Sequence, residues 1–142
     1  MNSCSQRSQS YAAYGAAEGF QSAQAQSYES LQAYYRGLIE MNIYLIHFEL
    51  EKLIVGEDEL VIEGVVHQLY SGEMLQRVHQ IETGDPQAVY QLTKKTCVFF
   101  TFDEDGKCSG EQAYASGPAT ADDVTKVAVQ LVPAQFFQNP LR

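Results

Sequence analysis

The chain has 142 residues, a formal net charge of −9 and only nine lysine and arginine residues. Nucleic acids and anionic membrane surfaces are bound through clustered positive charge, so this balance argues against both as partners. Hydrophobic residues make up 45% of the chain, which is enough for one globular domain that needs no disulfide or metal support.

Cysteine usage and the lack of a long apolar run predict a cytoplasmic protein. Cys4, Cys97 and Cys108 form no C-x-x-C pair, so we expect free thiols in a reducing compartment. No stretch reaches the roughly 18 apolar residues of a membrane helix, and the N-terminus does not resemble a signal peptide. We expect no cofactor and no metal, because the sequence has neither a phosphate-binding loop nor closely spaced histidines.

Residues 1–29 are rich in Ser, Gln and Ala, with only three charged side chains. This composition buries little surface and predicts a flexible segment, with a short helix over residues 11–26 as an alternative. Residues 30–142 are expected to form a single domain. Its first helix is predicted from Ser30, with Ser27 or Ser30 as its cap and an apolar stripe that comprises Leu31, Tyr34, Tyr35 and Leu38.

The next part of the chain predicts a long hairpin. Apolar and polar residues alternate between Asn42 and Val55, and a β-branched strand returns from Leu60 to Tyr70 after an acidic turn. The following segment is irregular, and either a short helix near residues 73–80 or a loop is expected there.

A second hairpin is predicted at residues 87–115. Its first strand ends in a run of apolar residues, an Asp-Gly turn follows at residues 103–107, and the returning strand covers residues 108–115. Apolar residues recur at helical spacing from Val124 to Leu131, which predicts a short C-terminal helix.

The order of these elements resembles the NTF2-like superfamily, in particular its SnoaL-like branch. Three stretches carry the resemblance: HFELEKLIVGEDELVIEG, an insert with YSGEML, GDP and a later Tyr, and VFFTFDEDGKCSGEQAY. The resemblance implies an α+β fold, in which a curved antiparallel sheet of four main strands packs on N-terminal helices as a cone with a pocket. It also implies a homodimer formed through the outer sheet face. The family normally has two helices and a first strand before the helix that begins near residue 30, where this chain has its low-complexity segment.

Two carboxylates inside the predicted strands are the main candidates for chemistry. A carboxylate in an apolar strand is costly unless it is paired, protonated or directed into a cavity. If Glu63 and Glu111 share one pocket, one can act as a general base and the other as a general acid. The alternative is that both face solvent or pair with Lys52 or Lys95.

His47 and His67 are further catalytic candidates. They are expected opposite each other in the first hairpin, and imidazole titrates near physiological pH. The alternative is that both are exposed side chains of the sheet face. The third histidine, His79, is expected at the surface.

Aromatic residues of the strands are the predicted ligand-binding group. Tyr114, Tyr70 and Phe100 can line a pocket for a cyclic apolar ligand, or can belong simply to the core. Tyr114 is expected beside Glu111, because the resemblance places it on the last strand.

Together these features predict a pocket protein that binds a small apolar or cyclic metabolite. If it is catalytic, we expect cofactor-free acid/base chemistry of the isomerase, cyclase or hydratase type. One alternative is a non-catalytic NTF2-like module for binding or dimerisation. Another is a shortened chain that folds stably only as a dimer covering its open end.

Overall fold

The computed structural model describes residues 10–17, 20–25 and 27–141, with side chains from residue 27 onward. Within this part of the chain, seven strands form one sheet and two α-helices accompany it. The elements are β1 (Ser10–Ala17), β2 (Phe20–Ala25), α1 (Tyr28–Glu40), β3 (Ile46–Val55), β4 (Glu59–Ser71), α2 (Gly72–His79), β5 (Val89–Phe102), β6 (Cys108–Ala115) and β7 (Val124–Lys126).

The sheet has the strand order β2-β1-β6-β5-β4-β3, and β7 pairs with the first part of β5. All pairings are antiparallel except that of β1 with β6, which is parallel. One-residue shifts interrupt the pairing from β3 to β6 at two places: Glu51 is the extra residue in β3, and Ser109 of β6 is the extra residue opposite Thr101 and Phe102. Such bulges bend and twist a sheet. The prediction of an α+β fold with a curved antiparallel sheet is confirmed.

The N-terminal segment contributes two strands. The alternative of a helix over residues 11–26 is therefore wrong, because residues 10–17 and 20–25 pair as strands. Residues 1–9 lie outside the described residues, and the flexibility predicted for the segment stays a prediction.

Both helices begin at serine caps. Ser27 and Ser30 form a reciprocal capping box, in which each backbone N–H donates to the other's hydroxyl at 3.0 and 3.1 Å. Ser71 caps α2 by accepting from the Met74 N–H at 3.2 Å, so the irregular insert does contain the short helix. Within the described residues, neither helix has the length and apolar character needed to span a membrane.

The C-terminal segment has a less regular structure than the predicted helix. It consists of 3-10 turns at residues 121–123, 129–131 and 134–137, with β7 between the first two. Val124 pairs with Leu92 in the sheet, because β-branched residues favour extended backbone. Val132 and Phe136 pack against Val89 and hold the segment on the sheet.

Cross-strand partners share one face of a sheet, so the register defines two faces. The helices cover part of the inner face, where Ile43, Tyr70, Leu75, Ile81, Tyr90 and Leu92 form the core. The strand residues that point to the inner face include Tyr70, Tyr90, Leu92, Val98, Phe100 and Glu111. The outer face carries His47, Glu63, His67, Cys97, Phe99 and Tyr114.

Candidate functional site

Glu111 is the carboxylate that the fold directs to the inner face. It lies on β6 opposite Phe100, which in turn pairs with Leu60 of β4. The side chain is half-buried, and burial raises the pKa of this carboxyl above its ordinary value. A hydrogen bond with the Tyr35 side chain opposes that rise, because it stabilises the ionised form.

Two consecutive tyrosines of α1 lie over this carboxylate. The Tyr34 and Tyr35 rings meet edge to face, with centroids 5.4 Å apart, and each residue keeps 38% of its surface exposed. Burial, and secondarily the charge of Glu111, raise the pKa of Tyr34. The Tyr34 phenol therefore stays protonated at neutral pH and can donate a hydrogen bond, whereas Tyr35 is hydrogen-bonded with Glu111. Because both tyrosines are partly exposed, a ligand from solvent can reach them.

A buried tyrosine and a histidine extend the cluster toward α2. The Tyr70 hydroxyl lies 3.1 Å from His79 Nε2, and only 3% of Tyr70 is exposed. Burial, with a smaller contribution from Tyr34, raises the pKa of Tyr70, whereas burial lowers the pKa of His79. A protonated phenol and a neutral imidazole suit one hydrogen bond, with the phenol as donor.

These groups form the candidate site, which we define as Glu111, Tyr34, Tyr35, Tyr70, His79 and Phe100. It combines a carboxyl whose pKa is raised by burial, three tyrosine hydroxyls, an imidazole and the apolar ring of Phe100. Such a set can bind the oxygen atoms of a small ligand and exchange a proton with it. Three of these residues, Tyr34, Tyr35 and His79, were not predicted as site residues, and His79 is half-buried although a surface position was expected.

Glu63 lies on the outer face. Its Oε1 is 3.4 Å from Lys95 Nζ, and Lys95 also bonds the Glu51 carboxylate. The pairing with Lys95, which was the alternative interpretation, is the observed arrangement. The structure therefore does not bring Glu63 and Glu111 into one pocket.

The two predicted histidines are neighbours, also on the outer face. His47 and His67 are directly opposite each other in the β3–β4 hairpin, and their rings stack with centroids 5.9 Å apart. His67 Nε2 lies 3.1 Å from Glu49 Oε2, and its Nδ1 lies 3.2 Å from the Gln91 amide nitrogen. Within the described residues, no three His, Cys, Asp or Glu side chains are arranged to hold a metal ion.

The predicted ligand-binding aromatics divide between the faces. Tyr70 and Phe100 lie on the inner face, as the candidate site requires. Tyr114 lies on the outer face, where 43% of it is exposed and its ring meets Phe99 edge to face. Tyr114 is three residues from Glu111 on one strand, so the two side chains point to opposite sides.

No family model matches this chain, and no curated protein matches it by sequence. Solved structures do match its fold. A candidate SnoaL-like polyketide cyclase from Shewanella putrefaciens superposes with a TM-score of 0.61 and 10% identity, covering 80% of this chain and 65% of the other. An NTF2-like protein from Anabaena variabilis superposes with a TM-score of 0.56 and 13% identity, covering 84% and 74%.

A third similar structure is SalBIII, an epoxide hydrolase/cyclase-like enzyme with a role in pyran ring formation in the polyether salinomycin. It superposes with a TM-score of 0.52 and 9% identity, covering 89% of this chain and 79% of SalBIII. Identities this low establish the fold alone. The chain thus has the SnoaL-like form of the NTF2-like fold, although it spans less than two thirds of the Shewanella protein.

Proposed function

We propose that the inner face binds a small apolar or cyclic metabolite and that Glu111 exchanges a proton with it. The observation that carries this proposal is the position of Glu111, half-buried on the inner face beneath Tyr34 and Tyr35. A carboxyl whose pKa is raised by burial can accept and return a proton without a cofactor.

The surrounding residues define what the ligand must provide. Tyr34 supplies a hydroxyl donor beside the hydrogen bond between Tyr35 and Glu111, so a carbonyl or ether oxygen suits its position. Phe100 lies directly opposite Glu111 and offers an apolar wall, which suits a ring or a short chain. A carbonyl compound with an acidic α-hydrogen satisfies both requirements, and the reaction would then be an isomerisation, cyclisation or hydration.

The fold is compatible with this chemistry. SalBIII has a role in pyran ring formation, which supports a cyclisation on this fold without defining a substrate. A role of the outer-face residues Glu63, His47 and His67 in proton transfer would need a second site, because they lie on the face opposite Glu111. A cytoplasmic location and a homodimer likewise stay predictions.

The experiment follows proton exchange directly. A panel of small cyclic ketones and lactones is incubated with the protein in D₂O, and deuterium incorporation beside the carbonyl is measured by NMR. The variants are Glu111→Gln and, as a matched control on the outer face, Glu63→Gln. We expect wild type and Glu63→Gln to catalyse exchange, and Glu111→Gln to lose it by about a hundredfold or more.

Other outcomes are equally informative. Exchange that persists in Glu111→Gln would contradict the assignment of this residue. Thermal stabilisation by a ligand without any exchange would favour the non-catalytic binding module instead. Ligand binding that is indifferent to both Glu111→Gln and Tyr35→Phe would show that the ligand does not occupy the candidate site.

A further inference from the structure

The edge strand β3 is unusual in its exposed apolar residues. Among the described strands it is the outermost of the sheet on its side, with one neighbour, β4. Leu50, Leu53 and Val55 are 53%, 51% and 71% exposed, and all three lie on the inner face beyond the helices. A long apolar edge is an aggregation hazard for a monomer, so it is normally paired or covered.

Two hydrogen bonds determine which backbone groups of β3 are free. Gly56 N–H donates to Glu59 O at the turn, and Leu69 N–H donates to Leu45 O at the other end. In an antiparallel pair, residues bonded to the neighbouring strand alternate with residues whose N–H and C=O point away. Counting inward from both ends leaves free groups at residues 46, 48 and 50 before the bulge and at residues 53 and 55 after it.

We propose that this edge pairs with the same edge of a second copy, about a two-fold axis between Glu51 and Lys52. In that antiparallel register Leu50 lies opposite the partner's Leu53, and Phe48 lies opposite the partner's Val55. Residues 48, 50, 53 and 55 then each meet a residue with free backbone groups, because the bulges of the two copies coincide. The same register places inner-face residues against inner-face residues, so the exposed apolar side chains form one strip across the axis.

Charge complementarity supports this register independently. Glu51 and Lys52 both lie on the outer face, since Glu51 bonds Lys95 and Lys52 pairs in register with Glu63. The two-fold axis places Glu51 of each copy opposite Lys52 of the other copy, so the dimer contains two such pairs. Lys52 is exposed and has no ion pair among residues 27–141, so it is free to make this contact. Opposite charges directly across two strands stabilise the pair, and like charges destabilise it.

The test is charge-swap complementation, read as molecular mass by sedimentation equilibrium over a range of concentrations. Wild type is expected to be a dimer. Lys52→Glu and Glu51→Lys each place like charges opposite each other, and each is expected to weaken self-association roughly tenfold or more. Mixing the two variants restores opposite charges at both positions, so a mixed dimer is expected.

Two control variants complete the design. Lys107→Glu makes the same charge change in the β5–β6 turn and is expected to leave the dimer intact. Phe99→Lys alters the outer face, where the homodimer was predicted from the family resemblance. Loss of the dimer in Phe99→Lys but not in Lys52→Glu would place the interface on that face and overturn the proposal.

The remaining outcomes also decide the matter. A wild-type chain that stays monomeric at every concentration overturns the proposal. So does a Lys52→Glu variant that associates as wild type, or a failure of the mixture to recover the dimer. Far-UV circular dichroism of each single variant verifies that a lost dimer does not reflect a lost fold.

Discussion

Glu63 and Glu111 face opposite sides of one sheet, although only β5 separates their strands. The cause is the one-residue shift between Thr101 and Phe102 in the pairing of β5 with β6. Without that shift, Ala113 would lie opposite Cys97, and Glu111 would share the outer face with Glu63. A bulge thus directs the carboxylate of the candidate site inward.

Replacement of Glu111 is expected to stabilise the fold at neutral pH. The pKa of Glu111 is higher in the folded protein than in the unfolded chain. The contribution of Glu111 to the free energy of unfolding is therefore fully present below about pH 4.3 and is lost as pH rises through the folded pKa. Glu111→Gln removes that loss and should stabilise by on the order of 1 kcal/mol at pH 7. Chemical denaturation at pH 4 and pH 7 measures the difference.

The Glu63→Gln variant is the control for this effect. Its carboxylate is partly exposed and pairs with Lys95, so the change should have little effect at either pH. A gain at pH 7 that is equal in both variants would contradict the burial of Glu111.

His79 is expected to make the fold less stable in mild acid. Burial lowers its pKa in the folded protein, so the unfolded chain takes up a proton first as pH falls below about 6.5. His79→Gln should therefore flatten the decline in melting temperature between neutral pH and about pH 5. His47→Gln, a change at an exposed histidine, should leave more of the decline in place, and identical slopes in the two variants would argue against this role.

Asp123 joins the C-terminal segment to the sheet. Its carboxylate accepts from the Thr120 N–H at 2.8 Å and lies 3.2 Å from Lys94 Nζ, and these contacts lower its pKa. The stabilisation is present above the ordinary pKa of Asp and is lost as pH falls through the folded value. Asp123→Ala should cost about 1 kcal/mol at pH 7, whereas its exposed neighbour in Asp122→Ala should cost little. Denaturant midpoints of the two variants provide the comparison.

Gly64 allows β3 and β4 to approach closely. A Cβ atom there would collide with the Glu49 carbonyl oxygen and lie 2.8 Å from Phe48 Cε1. Gly64→Ala should therefore destabilise by about 3 kcal/mol. Gly37→Ala is the matched change in α1, where a Cβ meets nothing within 4 Å, and it should stabilise by about 0.5–1 kcal/mol. Comparable melting temperatures for the two variants would refute the close approach.

Local patterns predicted most of the fold. Three short-range patterns carried the prediction: alternating apolar and polar residues in β3, β-branched residues in β4, and the Asp-Gly turn before β6. The first two also predicted correctly that His47 lies opposite His67. Ser27 as a cap and the tyrosine stripe of α1 were predicted for the same reason. The strands β1 and β2 were missed, because their Ala, Ser and Gln residues carry no β-branched or alternating signal.

The candidate site was harder to predict, since its geometry depends on which side of the sheet each strand residue faces. A bulge leaves no trace in the composition around Thr101, yet it decides which face receives Glu111 and Tyr114. The contact between Tyr70 and His79 depends on how α2 folds back on β4, which periodicity does not describe. A clue was available in the stripe of Tyr34 and Tyr35, where two phenols on a core-facing helix side required polar partners.

The parallel pairing of β1 with β6 has a consequence for how the chain acquires its structure. Ser10 pairs with Gly110, so about 100 residues must be synthesised and ordered before this ladder can close, and the loop entropy makes it a late event. The two hairpins involve far shorter loops and can assemble first. During translation, β1 and β2 must therefore remain unpaired with β6 until about 100 further residues have been made, and hydrogen exchange should report this ladder as the earliest to open.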